Sequence, residues 1–595
     1  MKIEWIKEQK NKIIQLLCLV SVPAAAFYLM ECYTHNPLSE VRTWAQLFNV
    51  ILFELIAWIL YFLVGRVRTA LRIELVIAMV FGLSNAYVVR FRTNPIVPWD
   101  LFSWKTAASV ASNYDFKPDT HMVVVTILFL AGIALLQFVK KESGTIKIWK
   151  RLIFAAAFCV VLTGFVGKLQ DESFQTSHWL YPFLFTPAYM TTVNGIAVTF
   201  AMDLAYVTVE KPSGYQASEE QAVLEQYGEQ ETESTEELPN IVVVMNESFS
   251  DLAVLGDFTV NEDYMPYLHR LQQGNANTVT GYLNVSVCGG NTANTEFEFL
   301  TGNTMAFLPQ GSIPYQQYIT GEIDSLPSYL ASLGYQTVAT HPYNASGWQR
   351  DTVYPLLGFS ESIFRDQYWG ASQVRKYVSD DSCVDKIIQL YEGKEEGKPL
   401  FVFNVTMQNH GGYTDLYDNF TPEIQVEGVN NSTAVSQYLS LIRLSDASLE
   451  ILIQYFSGVD EKTIVVFFGD HQPNDTVAAP ILAKNGISVK NMDAEQLKLR
   501  YQVPYVIWAN YDIGEETGKD TSANYLAADV LRYAGVAPDA YLDYLSGLKE
   551  QYPIISAMRV VTADGEDTDA TAQKEGLSDY QKLQYYQLFD HKEKE

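Results

Sequence analysis

Thr463-Ile464-Val465-Val466-Phe467-Phe468-Gly469-Asp470-His471 is a strand-prone run that stops at a glycine and then presents a carboxylate and an imidazole side by side. Runs of the same kind recur upstream and downstream at Ile241–Met245, Gln336–Ala339, Leu400–Val405 and Tyr505–Trp508. Between them lie stretches with helical periodicity, around Met265–Gln273, Ser325–Leu333 and Ala434–Phe456. Strands alternating with helices predict a largely parallel α/β sheet covered by helices on both faces. In such sheets the functional side chains gather beyond the carboxyl ends of the strands. The polar residues of interest fall there: Glu247 after the first run, His341 after the second, His410 beyond the third, and Asp470 with His471 after the fourth.

The N-terminal third is of another kind. Five apolar stretches, Ile13–Met30, Trp44–Val64, Ile73–Val89, Met122–Val139 and Leu152–Val166, approach the ~20 residues needed to cross a hydrocarbon core. Lys2, Lys7, Lys10 and Lys12 precede the first; Arg66, Arg68 and Arg72 separate the second and third; Lys140, Lys141, Lys147, Lys150 and Arg151 separate the fourth and fifth. The positive-inside rule makes those sides cytoplasmic, and an odd number of spans exports everything after about residue 167. The first span lacks a small-residue cleavage site and reads as an anchor. The sequence therefore divides into a five-helix membrane domain (1–167), an interfacial and linker segment (168–239) and an exported domain (240–595). In the second part, Ile196–Val209 carries Asp203 and follows Trp179, Tyr181, Phe183 and Tyr189, which predicts an interfacial helix; a sixth span is the alternative. The following acidic stretch contains Glu219, Glu220, Glu225, Glu229, Glu231, Glu233, Glu236 and Glu237, with Ser218 and Gln221 spaced as a capping box. A C-terminal loop, Thr562–Thr571, precedes a last helix at Tyr580–Phe589.

The formal net charge of the 595 residues is −28. With basic loops in the membrane part, the exported part is strongly acidic, which argues against a nucleic-acid partner and is compatible with attracting divalent cations. Of five cysteines, Cys288 and Cys383 lie in the exported part; one disulfide between them is conceivable, but there is no disulfide framework. Glu54 sits inside the second span, where a carboxyl is either functional or hydrogen-bonded within the helix bundle.

Asn246-Glu247-Ser248-Phe249, Gly289-Gly290-Asn291-Thr292 and Gly469-Asp470-His471 carry the chemistry. A carboxylate at the mouth of a buried strand needs a partner. Oxygens from Glu247, Asp470 and Thr292 with a nitrogen from His471 suit Mn²⁺, Mg²⁺ or Zn²⁺. A hydroxyl beside such a cation loses its proton more readily, so Thr292 is a candidate nucleophile, with Thr295 and Cys288 as neighbouring competitors. An N-cap by Asn246 or Ser248 is the structural alternative at the first motif.

Glu-Ser-Phe after the first strand, Gly-x-Thr with Glu296-Phe297 behind it, His341 followed by Trp348-Gln349-Arg350, the Asn409-His410 turn and Gly-Asp-His together resemble the extracellular domain of lipoteichoic acid synthases. These are glycerol-phosphate transferases of the sulfatase and alkaline phosphatase superfamily, and their five membrane helices before one exported domain are similar too. The resemblance implies Thr292 as nucleophile and Glu247, Thr292, Asp470 and His471 as ligands of a metal, typically manganese. It implies that Trp348, Arg350 and His410 hold the phosphoglycerol group, with His341 matching the same pattern. Arg350 suits phosphate as a planar fork, and His410 either binds phosphate or acts as general acid. The donor implied is phosphatidylglycerol. The acceptor implied is a lipid-linked glycerol-phosphate or a glycolipid, lengthened or primed into a polyglycerol-phosphate chain. Transfer of phosphoglycerol or phosphoethanolamine to another glycan or lipid, phosphodiester hydrolysis, and a non-enzymatic membrane sensor are the alternatives. The family's Gly-Lys-Thr-Ser is replaced by Gly290-Asn291-Thr292-Ala293, and Cys288-Gly289-Gly290-Asn291-Thr292 lacks the Pro and Arg of a formylglycine motif, which disfavours sulfate-ester hydrolysis.

Overall fold

The computed structural model describes residues 2–92, 95–101, 116–140, 146–181, 187–206, 209–227, 238–309, 312–489 and 492–590. Lys141, Phe183, Glu229, Glu231, Glu233, Glu236 and Glu237 lie outside them. The chain forms two compact units, divided near residue 208.

The first unit is helical. Its long helices are α1 (Lys2–Glu31), α2 (Thr43–Val64), α3 (Val67–Arg92), α4 (Thr120–Leu135) and α5 (Ile148–Leu169). Each, α4 together with the 3-10 turn Leu136–Phe138 that continues it, provides a stretch long and apolar enough to cross a membrane, from 19 residues at Thr120–Phe138 to 24 at Val67–Arg90. The fifth, shortest in the sequence reading, extends over 22 residues. α6 (Ile196–Asp203) has only 8 residues, about 12 Å of helix, so it is too short for a sixth span. Six of its residues are buried within this unit. Its start is held by polar groups from elsewhere: the Ile196 N–H donates to Glu31 Oε1 at 2.7 Å, and the Val198 N–H to Asn49 Oδ1 at 3.0 Å. Glu54 is half-buried on α2, which packs against α3; its Oε1, like both carboxyl oxygens of Glu74 on α3, has no hydrogen-bond partner among the described residues.

The second unit begins with a short helix, α7 (Ala217–Leu224). The Ser218/Gln221 box does not form, because the helix starts two residues early and Gln216 occupies the cap without a side-chain bond. The core of this unit is a sheet of nine strands: β1 (Asn240–Asn246), β2 (Thr278–Asn284), β3 (Gln336–His341), β4 (Glu361–Phe364), β5 (Leu400–Val405), β6 (Thr463–Gly469), β7 (Gln502–Ala509), β8 (Glu515–Glu516) and β9 (Thr521–Ser522). Their order is β8-β2-β7-β6-β1-β5-β3-β4, with β9 also paired to β2. From β6 to β4 every pairing is parallel. β7 is antiparallel to both its neighbours, a reversal that its apolar composition does not encode.

Alternation along β1 sends Ile241, Val243 and Met245 into one core and Val242 and Val244 into the other. Both faces are dry, which is why the strands read as continuous apolar runs. α8 (Thr292–Thr301) and α11 (Ala523–Ala534) contribute to the first core, α9 (Asp380–Glu392) and α10 (Ser432–Ser457) to the second. Cys288 and Cys383 are both free thiols, so no disulfide joins them. Cys383 packs in the second core, whereas Cys288 sits in the turn before α8. Near the C-terminus, the loop 562–571 contributes the strand Asp567–Thr568, paired with Val560–Val561, and the last helix is α-helical over Ser578–Tyr585 before a π-turn.

Candidate active site

Register builds the site. β1 and β6 pair in parallel from Asn240↔Thr463 to Asn246↔Gly469, so Glu247 and Asp470 leave adjacent strands at the same level. A glycine is required at 469 by close approach: a Cβ there would lie 1.9 Å from the Phe249 carbonyl oxygen. Phe249, the last residue of the Glu-Ser-Phe motif, is fully buried with its ring edge-on to Phe467. Ser248 adopts a left-handed φ of 52° and caps no helix. Instead its N–H donates to Asp470 Oδ1 at 2.7 Å and its hydroxyl to Glu247 Oε1 at 3.1 Å. Asn246 does not cap either; its amide donates to Asp380 Oδ2 at 2.8 Å and accepts from Asn409 at 3.0 Å.

The result is a buried cluster of Glu247, Asp470 and His471, with one ligand atom of each within 4.8 Å of the others. The His471 N–H also donates to Asp470 Oδ1, at 2.8 Å. Asp470 Oδ2 receives no hydrogen bond from the described residues and lies 3.2 Å from His471 Nε2; Glu247 Oε1 lies 3.9 Å from the same nitrogen. His471 Nδ1 is 2.9 Å from the Gln472 carbonyl. A carbonyl only accepts, so Nδ1 carries a proton there and Nε2 is the ring nitrogen that faces the carboxylates. Burial, and then the charge of Asp470, push the Glu247 carboxyl well above its ordinary range. Burial likewise raises Asp470. Three converging lone-pair donors with an orphaned carboxylate oxygen fit a divalent cation, through Glu247, Asp470 and His471.

Thr292 opens α8 and is 7 % exposed. Gly289, Gly290 and Asn291 all have positive φ, 72°, 154° and 67°, a turn that delivers the hydroxyl to the cluster. The Gly289 N–H is tied to the Gln472 carbonyl at 2.9 Å, and His471 and then the nearby Thr292 hydroxyl act against burial in lowering the Asp470 carboxyl. The two competitors are occupied elsewhere. Thr295 donates to the Asp470 carbonyl at 2.7 Å, and Cys288 Sγ accepts from Arg500 at 3.2 Å, its thiol raised chiefly by burial.

The remaining expected residues form a second group. Arg350 is buried and engaged with Glu296: Nε lies 3.1 and 3.3 Å from the two carboxylate oxygens, and Nη2 binds Oε1. Only Nη1, 3.4 Å from the Gly347 carbonyl, is loosely held. Trp348 has a left-handed φ of 55° and leans on the first core. His341 Nδ1 bonds the Val405 carbonyl at 2.9 Å; burial, then the charge of Arg350, push its pKa well down. His410 Nδ1 lies 3.0 Å from the Tyr377 hydroxyl, and burial followed by the charges of Arg375 and His471 pushes it down to about 3.

The second layer was not legible in advance. Asp380 accepts from Asn246 and from Ser445, at 2.8 and 2.5 Å, and burial brings it up to about 6. Arg375 donates through Nη2 to the Gln408 and His410 carbonyls, both at 2.7 Å. Asp380 and Arg375 belong to no motif; a polar residue beside an apolar run is the only local sign of either.

Residues 239–536 match the sulfatase family model. A putative cyclic β-1,2-glucan modification protein of Rhizobium meliloti is 30 % identical over 549 residues, 89 % of this chain and 83 % of that protein. Lipoteichoic acid synthase 2 of Bacillus subtilis is 24 % identical over 51 % of this chain and 46 % of its own length. Among solved structures, the lipooligosaccharide phosphoethanolamine transferase EptA of Neisseria meningitidis shares the fold with a TM-score of 0.51 at 14 % identity, covering 88 % of this chain and 95 % of that one. The family match over residues 239–536 and the identity across nearly nine-tenths of the chain establish that this protein belongs to the sulfatase family.

Proposed function

We propose that the protein is a membrane-anchored, metal-dependent transferase that takes phosphoglycerol from phosphatidylglycerol through a threonine-linked intermediate, with residues 240–595 as the catalytic domain outside the membrane. The observation that carries this reading is the buried cluster of Glu247, Asp470 and His471, with Thr292 at the start of α8 near enough for its hydroxyl to influence the Asp470 carboxyl. A divalent cation held by Glu247, Asp470, His471 and the Thr292 oxygen, Mn²⁺ by family resemblance, supplies positive charge that makes the threonine hydroxyl more acidic and offsets charge on phosphorus.

The chain's own residues do the rest. Thr292 Oγ1 forms a bond to phosphorus as the bond to the diacylglycerol oxygen breaks, its proton passing through solvent to that departing oxygen and leaving glycerophospho-threonine; an acceptor hydroxyl then displaces the threonine oxygen, which takes up a proton as the acceptor gives up its own. His410, neutral at physiological pH, serves as a hydrogen-bond donor to a phosphoryl oxygen and not as an imidazolium acid. Arg350, its charge offset by Glu296, shapes the pocket with Trp348 and His341.

For the acceptor, two readings stand: growth or priming of a lipoteichoic-acid-type polyglycerol phosphate, and decoration of a glycan. The glycan reading is favoured by the relative named for cyclic glucan modification, whose similarity runs through the helical unit as well as the catalytic one. Mass spectrometry of the protein after incubation with phosphatidylglycerol and Mn²⁺ tests the reaction. A glycerophosphate adduct on Thr292 is expected, and its absence despite diacylglycerol release overturns the covalent route. Adding a β-glucan or a glycerol-phosphate glycolipid then separates the acceptors by which one discharges the adduct.

A further inference from the structure

Arg375 sits in the turn of a hairpin, between the two-residue strands Gln373–Val374 and Tyr377–Val378, with a left-handed φ of 58°. Its side chain does not point to solvent; the residue is 3 % exposed. Nη2 is fully used by the Gln408 and His410 carbonyls, and the Tyr377 and Tyr413 rings flank the guanidinium with centroids at 5.5 and 5.6 Å. Nε and Nη1 are buried and have no acceptor among the described residues. Two other buried guanidiniums in this unit are neutralised, Arg350 by Glu296 and Arg500 by Asp475 at 2.7 Å. Arg375 makes no ion pair among the described residues.

A desolvated charge with unpaired N–H groups is costly, and the two tyrosine faces, with the charge of Asp415 beyond ion-pair distance, offset only part of that cost. The shortfall points to a missing anion. Its place follows from what surrounds it. Nη2 holds the His410 carbonyl, the Tyr377 ring against the guanidinium carries a hydroxyl 3.0 Å from His410 Nδ1, and the charge of Arg375 is felt at Tyr413, which also feels Glu247 and Asp470. The guanidinium therefore shares one electrostatic neighbourhood with the candidate ligand cluster. A divalent cation there offsets Glu247 and Asp470, and Glu296 offsets Arg350, so neither balances the negative charge that a phosphodiester brings.

We infer that Arg375 is a substrate-binding residue, whose Nε and Nη1 take the oxyanion of a phosphate group entering beside His410. The inference rests on the phosphoryl-transfer reading and assigns to Arg375 the anion recognition that sequence alone assigns to Arg350. A planar guanidinium matches two phosphate oxygens at once, which an ammonium does not.

The full-length protein in detergent, with R375Q and R375K, tests it by three measurements: inorganic phosphate binding by calorimetry, KM for phosphatidylglycerol in mixed micelles, and bound Mn²⁺. R375Q is expected to weaken phosphate binding about 10-fold or more, from loss of charge-assisted hydrogen bonds, and to raise KM similarly with Mn²⁺ retained. R375K, keeping the charge without the fork, is expected to recover part of the affinity, and it carries the test if R375Q does not melt cooperatively. Wild-type phosphate affinity in folded R375Q overturns the inference, as does a loss confined to kcat, since Arg375 would then only brace the His410 turn. Arg375-dependent phosphate binding in a protein that does not turn over phosphatidylglycerol supports the anion site for free phosphate and sinks the lipid-donor reading instead.

Discussion

At the scale of single residues, Thr292 and Thr295 show how one helical turn separates two roles. Thr292, at the first position of α8, is near enough for its hydroxyl to influence the Asp470 carboxyl, while Thr295 spends its own on the Asp470 backbone carbonyl. Thr292→Ala is expected to abolish the glycerophosphate adduct and diacylglycerol release while leaving the melting midpoint nearly unchanged. Thr295→Val keeps the shape but leaves a buried carbonyl unpaired, a cost of about 1–3 kcal/mol. It is therefore expected to melt earlier yet still form the adduct. An adduct on T292A, or its loss in a folded T295V, reverses the assignment. Gly289, Gly290 and Thr292 were legible because a small-residue turn before a hydroxyl is a local pattern. Thr295's carbonyl partner was not, because Asp470 lies 175 positions away.

At the scale of elements, the site depends on the pairing of β1 with β6. The level exit of Glu247 and Asp470 requires the strands to pack without a side chain at 469, where the Phe249 carbonyl already stands. Gly469→Ala forces backbone movement at a point packed on all sides. It is expected to cost about 3 kcal/mol and to release bound Mn²⁺ because the two carboxylates shift apart. Calorimetry for the first effect and metal analysis for the second check it; a G469A protein with wild-type melting and full metal would show that the strand ends tolerate displacement. A second junction is titratable. His269, at the end of the helix Pro266–Gln272, bonds Asp263 at 3.0 Å and faces Asp251 at 3.8 Å. Asp251, then Asp263, hold its pKa up at about 9. Because the folded value lies above the unfolded ~6.5, its stabilisation is complete below about pH 6.5 and is lost as pH rises through 9. His269→Asn is expected to flatten that part of the stability profile, by about 2 kcal/mol after allowance for partial exposure. Parallel pH dependences of the two proteins between 6.5 and 9 would exclude the linkage.

At the scale of the whole molecule, five membrane-length helices and basic loops on one side place the C-terminal unit outside the cytoplasm in our reading. Ser218 is exposed on α7, and a Ser218→Cys protein is expected to react with an impermeant maleimide in intact cells. Labelling only after lysis would put the catalytic unit inside and end the case for a lipid donor in the outer leaflet. What sequence alone determined was whatever local pattern encodes: five apolar lengths, the strands alternating with helices, and Glu247, Thr292, Asp470 and His471 at element ends. Strand and helix periods and membrane-span lengths are short-range properties, so they survive without knowledge of neighbours. Tertiary structure decided the rest: the antiparallel β7, the burial of α6, the free Cys288 and Cys383, Asp380 behind Asn246, Arg350 neutralised by Glu296 and Arg375 left without an anion. Each of these is a matter of which distant group stands against a buried face or charge. Desolvation makes that choice worth several kcal/mol, yet it is written in contacts across dozens to hundreds of residues and in no single stretch of the chain.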